Sequence, residues 1–263
     1  MARDLSLLMP EIAVVLTAVG ALVFEMLRLP KVALPFTVIG LLVATGLTVP
    51  LLGTETTAFS GTFRIDALGE WAKLVLLPAT VLSIVLAYPE VKNTEREGTV
   101  YVLFSLTALG ALVLAGAGDV MFLVLGVLLS SVGSFALVAY PADDRATEGV
   151  MKFFVFGSVT LAVMVFGLTY WFGATGSTLL ADLGRLGSVP LAAAFGLVAV
   201  LSMTYGNLAA LVQENVVRLL AYSSIAQSGY FLLGVVALGR SDLDVPSLVV
   251  FAAAYAAMNL GAF

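Results

Sequence analysis

The chain is 263 residues long, 61% hydrophobic and only 11% charged, with a mean hydropathy of +1.10; an ordinary soluble domain carries about 25% charged residues, so that class is excluded. It contains neither cysteine nor histidine, which removes disulfides, thiolate chemistry, His-ligated metal or haem, and imidazole proton relays. The net charge is −5 and the Lys and Arg residues are scattered singly, so nucleic acid is not a partner.

A spanning helix needs about 20 mostly apolar residues, and the chain offers such runs one after another. The first, 6–27, follows Arg3 like a signal peptide, but Pro10 and Glu11 interrupt it and no small-x-small cleavage site follows. It reads as a spanning helix. After RLPK (28–31) comes 32–52, and then GTETTAFSGTFRID (53–66), whose Thr, Phe and Gly content suits a short hairpin. Spans 69–89 and 98–116 flank PEVKNTEREG (89–98), and 119–140 ends at PADDRATEG (141–149). Span 150–171 leads to GATGSTLLADLGRLGSVP (173–190), which lacks a G-x-x-x-x-G-K phosphate cradle and reads as a surface loop. Spans 190–211, 217–238 and 246–263 complete the set, the last two divided by GRSDLDVP (239–246).

Porin-like barrels alternate polarity over segments of roughly ten residues; these runs are long and continuous. The expectation is therefore all-α: one polytopic transmembrane helix bundle over 1–263, with about nine spanning helices and the lipid bilayer as surroundings. Alternating the connections places Arg28, Lys31, Lys92, Arg96, Arg145, Lys152 and Arg218 on one face, against Arg3, Arg64, Lys73, Arg185 and Arg240 on the other. By the positive-inside rule this mild bias puts the N-terminus outside and RLPK in the cytoplasm.

Ionisable residues within a membrane are functional candidates, because burying them is costly. Glu11 and Glu25 share one span, 14 residues or about 21 Å apart, and so lie toward its opposite ends. Glu70 and Lys73 open the span at 69–89, Asp119 opens the one at 119–140, and Lys152 lies just inside the one at 150–171. None falls near a midplane. Glu148 precedes Lys152 by four residues, the favourable order for a helical ion pair. Lys152 is either an interfacial lysine snorkelling to water or an inward-facing one able to exchange a proton. Asp119, after GAG, is either a helix N-cap or a channel mouth.

In RLLAYSSIAQSGYFLLG (218–234), Ser223 and Gln227 are one turn apart, as are Ser224 and Ser228, and Gly229 adds a small notch. Such a polar stripe must face other helices or a wet cavity rather than lipid. It is helix glue or the wall of a hydrated proton path.

Four stretches carry a family resemblance: GNLAALVQENVVRLLAYSSIAQSGYFLLG (206–234), EGVMKFFVFGSVTLAVMVFGLTYWFGATGSTLL (148–180), GDVMFLVLG (118–126) and AYAAMNLGAF (254–263). Together they resemble the antiporter-like subunit N of NADH-quinone oxidoreductase, respiratory complex I, across essentially the whole chain. Other antiporter-like subunits and Mrp-type cation/proton antiporters are more distant relatives.

The resemblance implies a membrane-arm subunit without a redox centre, which moves protons along a row of lysines and a glutamate while quinone is reduced elsewhere. NADH, flavin, iron–sulfur clusters and quinone would then be held only by partner subunits. The adjacent M-type and the small K-type subunits would be its neighbours, in a cell membrane. Lys152, by its place in EGVMKFF, would be a proton-path residue, with Asp119, Ser223, Ser224 and Gln227 as further candidates.

The departures also matter. The family's fifth helix carries a glutamate where this chain has Leu128; Gln227 stands for a histidine, and Val217 for a frequent lysine. LAAAFGLVAV (191–200) runs straight into LSMTYGNLAAL, so part of the family's helix seven, all of eight and the start of nine are missing, and the chain stops before the last helices. The expectation is a weakened or inactive proton channel. The alternatives are a structural subunit or degenerate paralogue without pumping, and an Mrp-type cation/proton antiporter component.

Overall fold

Pro10 splits the first apolar run in two. In the computed structural model, which describes residues 2–94, 96–182, 191–213, 216–237, 250–251 and 254–255, α1 (Ala2–Leu7) ends just before α2 (Met9–Met26). Pro10 lies in the first turn of α2, where its missing N–H removes no helical hydrogen bond. Helices α3 (Pro30–Thr48), α4 (Ala67–Val91), α5 (Glu97–Ala115) and α6 (Val120–Ala139) follow the expected spans within a few residues.

The sixth apolar run is longer than expected. Helix α7 spans Asp144–Thr175, because Asp143 caps it by accepting from the Ala146 N–H at 2.6 Å. The charged residues DRATEG (144–149) therefore belong to the helix instead of forming its approach. At 1.5 Å per residue its 32 residues extend about 48 Å, more than the roughly 30 Å hydrocarbon core. Helices α8 (Leu191–Leu211) and α9 (Val216–Ala237) complete the described helices. Residues 191–211 of the seventh run thus form one unbroken helix, while the ninth span, 246–263, lies largely outside the described residues.

The chain forms two compact units, 1–185 and 186–263. In the first, α2 packs on α3 and α5, and α4 on α3 and α5. Val14, Leu41, Leu77, Ile84, Tyr101 and Leu112 form its apolar centre. The connection at 53–66 forms the expected hairpin: β1 (Thr56–Ala58) pairs antiparallel with β2 (Phe63–Ile65). Phe63 turns inward with Ala58 and Ile65 as a second small core. Outward positions such as Leu16, Ile39, Val85, Val132, Phe156 and Phe166 are exposed and apolar, as lipid contact demands. Six helices among the described residues are long and apolar enough to cross a bilayer. The chain is a multi-pass helical membrane protein.

Close approach of α5 and α6 depends on glycine. A Cβ on Gly110 would lie 2.3 Å from the Ser130 nitrogen, and one on Gly126 2.8 Å from that of Leu114. Gly133, one heptad after Gly126, meets Thr107 in the same way. Residues 177–182 are not the free surface loop expected there. The Val120 N–H donates to the Thr178 carbonyl at 2.9 Å and the Leu180 N–H to that of Gly118 at 2.9 Å, so the segment is bound to the α5–α6 turn. Residues 183–190 lie outside the described residues.

Candidate functional site

The most deeply buried charges among the described residues lie where α2 and α4 begin. Lys73, wholly buried, donates from Nζ to Glu70 Oε1 at 2.7 Å and lies 2.8 Å from Glu11 Oε1. The second approach is an ion pair without hydrogen-bond alignment, so both Glu11 oxygens and Glu70 Oε2 accept no hydrogen bond among the described residues. The Phe63 ring covers the ammonium at 5.1 Å, a favourable cation–π placement. Asp66 caps α4 by accepting from the Gly69 N–H and pairs with Arg64 at 2.9 Å.

Sequence reasoning places Glu70 and Lys73 together at the head of one span and Glu11 apart from them, near the end of another. The i, i+3 spacing of Glu70 and Lys73 could have signalled one half of the cluster. Nothing in the sequence pairs Glu11 with Lys73, 62 positions away.

Carboxylates also cluster at the opposite end of the first unit. Glu25, late in α2, accepts from the Gly98 N–H at 3.0 Å and from Thr99 Oγ1 at 3.3 Å. A negative charge is favourable there, at the N-terminus of α5. Glu97 accepts from the Asn93 N–H at 2.9 Å and from the Tyr101 hydroxyl at 3.0 Å.

The residues singled out from the sequence take quite different places. Asp119 is a buried N-cap that accepts from the Met121 N–H at 2.6 Å. Its other oxygen accepts from the Thr178 hydroxyl, so it fastens the segment after α7 to the head of α6. Lys152 pairs with Glu148, yet both side chains are about two-thirds exposed, at 68% and 67%. On α7 the Lys152 side chain is exposed and lies off the contact with α6. Lys152 sits eight residues, about 12 Å, into the helix, and the contact with α6 falls on Phe153, Phe154 and Gly157 against Phe135.

Leu128 is 38% exposed, two residues from Gly126 and therefore about 200° around α6 from the α5 contact. In the second unit, α9 meets α8 through small residues. A Cβ on Gly206 would lie 2.5 Å from the Ala226 nitrogen, and one on Gly229 2.8 Å from the Ala199 carbonyl. The hydroxyl stripe lies to the side of that contact. Ser224 accepts from the Tyr255 hydroxyl at 2.6 Å, and the Ser228 hydroxyl donates to the Ser224 carbonyl at 2.8 Å. Ser223 and Gln227 are half-buried. No group of three or more acidic side chains suited to a metal ion occurs among the described residues.

Comparison with known proteins places this arrangement. Residues 188–263 match the family described as NADH:quinone oxidoreductase/Mrp antiporter, TM. NADH-quinone oxidoreductase subunit N of Desulfovibrio desulfuricans is 30% identical over 343 aligned positions, covering 99% of this chain and 67% of that protein. The F(420)H(2) dehydrogenase subunit N of Methanosarcina mazei is 28% identical, over 82% of this chain and 58% of its own length. Subunit N of Mycobacterium sp. is 28% identical, over 82% and 60%. This chain thus spans about three-fifths of the length of several relatives it matches.

Among solved structures, a chain of respiratory complex I from Thermus thermophilus with bound aureothin superposes with a TM-score of 0.79 at 22% identity, covering 96% of this chain and 70% of that one. A chain of the membrane-bound sulfane sulfur reductase, an archaeal respiratory membrane complex, gives 0.80 at 20% identity, covering 98% and 69%. Fold and matches together define a multi-pass membrane protein of the antiporter-like class. Within that class, the chain belongs to the subunit N family of NADH-quinone oxidoreductases.

Proposed function

We propose that this chain works as a membrane-arm subunit of a proton-translocating quinone oxidoreductase, and that it conducts protons weakly or not at all by itself. The likeness to the Desulfovibrio subunit N along 99% of the chain supports the first part. Its 343 aligned positions against 263 residues leave at least 80 positions of the alignment without a residue of this chain, in line with an internal shortening.

The state of the titratable residues supports the second part. A lysine passes a proton onward only if neighbours alternately stabilise and repel its charge. Lys152 has Glu148 on an exposed helix face, and Leu128 stands where the resemblance expects the acid. The hydroxyls of α9 can order water but do not titrate. Adjacent antiporter-like M-type and small K-type subunits are the proposed neighbours, with NADH, flavin, iron–sulfur clusters and quinone held by partners. The N-terminus is proposed to lie outside.

Proton flux into vesicles containing the purified chain, followed with an entrapped pH-sensitive dye, tests this reading. Flux is expected to stay at the level of empty vesicles. Robust flux that disappears in Lys152→Met would overturn it.

A further inference from the structure

We propose that the Glu11–Lys73–Glu70 cluster is a proton-binding site, holding one proton beyond those of the lysine and shared between its two carboxyl groups. This goes beyond the functional reading above, because the cluster shares no residue with the candidate path through Lys152.

The inference rests on charge and contact. Two carboxylates contact one ammonium, at 2.8 and 2.7 Å, with Glu70 and Lys73 wholly enclosed and Glu11 nearly so. Fully ionised, the cluster carries a net negative charge, and removing uncompensated charge from water is strongly unfavourable.

The charged groups nearby do not supply the missing positive charge. Asp66, at the head of α4, is neutralised by Arg64 of β2. Helix α1, packed on α2, contributes both Arg3 and Asp4. Helices α3 and α5, which flank α2 and α4, carry Lys31, Glu97 and Tyr101. These all lie within the first five residues of antiparallel neighbours, at the far end of the unit.

Two features send the proton to a carboxyl rather than removing one from the lysine. Lys73 lies against two acidic oxygens and the face of Phe63, the surroundings an ammonium fits. Meanwhile Glu11 Oε2 and Glu70 Oε2, buried with no hydrogen-bond partner among the described residues, are the oxygens on which a proton relieves the most unfavourable charge. The proton belongs to the pair, not to one residue.

The test is infrared spectroscopy of the full chain in lipid nanodiscs at neutral pH, with 13C-labelled glutamate identifying the carboxyl bands. The expected result is a protonated-carboxyl C=O band in the wild type that Glu11→Gln and Glu70→Gln each abolish. Either variant leaves a neutral carboxylate–ammonium pair and needs no extra proton. The wild-type spectrum decides even if a variant fails to fold: no protonated glutamate at neutral pH overturns the proposal. So does a band that both folded variants retain. A band that appears at fixed pH only when sodium is withdrawn would give the site to a monovalent cation, and that too would overturn it.

Discussion

Lys73 and Lys152 show how one residue type takes opposite roles according to burial. Lys73 is held by two acids inside the bundle, and Lys152 by one acid in the open. Removing one partner of a buried charge cluster strands the others, at about 3–5 kcal/mol, whereas an exposed helical pair contributes little. Lys73→Met is therefore expected to lose stability of that order in denaturant titration of the detergent-solubilised protein at neutral pH. Lys152→Met should unfold at the same midpoint as the wild type. Equal midpoints for both variants would show that the cluster does not hold the α2–α4 end together.

At the level of elements, glycine position decides which faces meet. Gly110 and Gly126 bring α5 and α6 to backbone contact, and that contact fixes the rotation of α6 and turns Leu128 outward. A side chain at Gly126 would collide with the Leu114 nitrogen and the Gly110 carbonyl at 2.8 and 3.0 Å, and backbone atoms cannot move aside as a flexible side chain can. Gly126→Val is expected to cost about 1–3 kcal/mol, as overpacking of a tight contact does. Thermal unfolding should show it as a clear drop in midpoint, with Leu128→Ala close to wild type. The reverse order of midpoints would mean that α6 is rotated differently.

The pattern of glycines hinted at this face, since Gly126 and Gly133 are a heptad apart. What the pattern lacked was the partner. The same spacing serves lipid-facing, α5-facing or α7-facing contact equally well. Asp119 was more legible, because an acid just before an apolar run has one cheap local role, and the structure adds only its hold on Thr178. The start of α7 was misjudged because charged residues were read as the end of the helix, although Asp143 caps a turn that begins among them.

For the whole molecule, orientation is the property most easily tested, because the chain contains no cysteine and any single one introduced is a clean reporter. Ser6 of α1 and Asn93 between α4 and α5 lie at opposite ends of the first unit. With the N-terminus outside, a membrane-impermeant maleimide added to intact cells should label Ser6→Cys and spare Asn93→Cys until the membrane is opened. The opposite labelling would invert the proposed topology.

The sequence alone determined that this is a helical membrane protein, roughly where its helices run, and to which family it is related. Those properties depend on runs of about twenty apolar residues and on long ordered matches, both local in the chain. Only the tertiary structure decided which charges matter to one another. Glu11 and Lys73 meet because α2 and α4 pack on the same two helices, and Lys152 is exposed while α7 meets α6 through Phe153 and Phe154. The energy of a charge depends on what surrounds it in space, and no spacing along the chain carries that information.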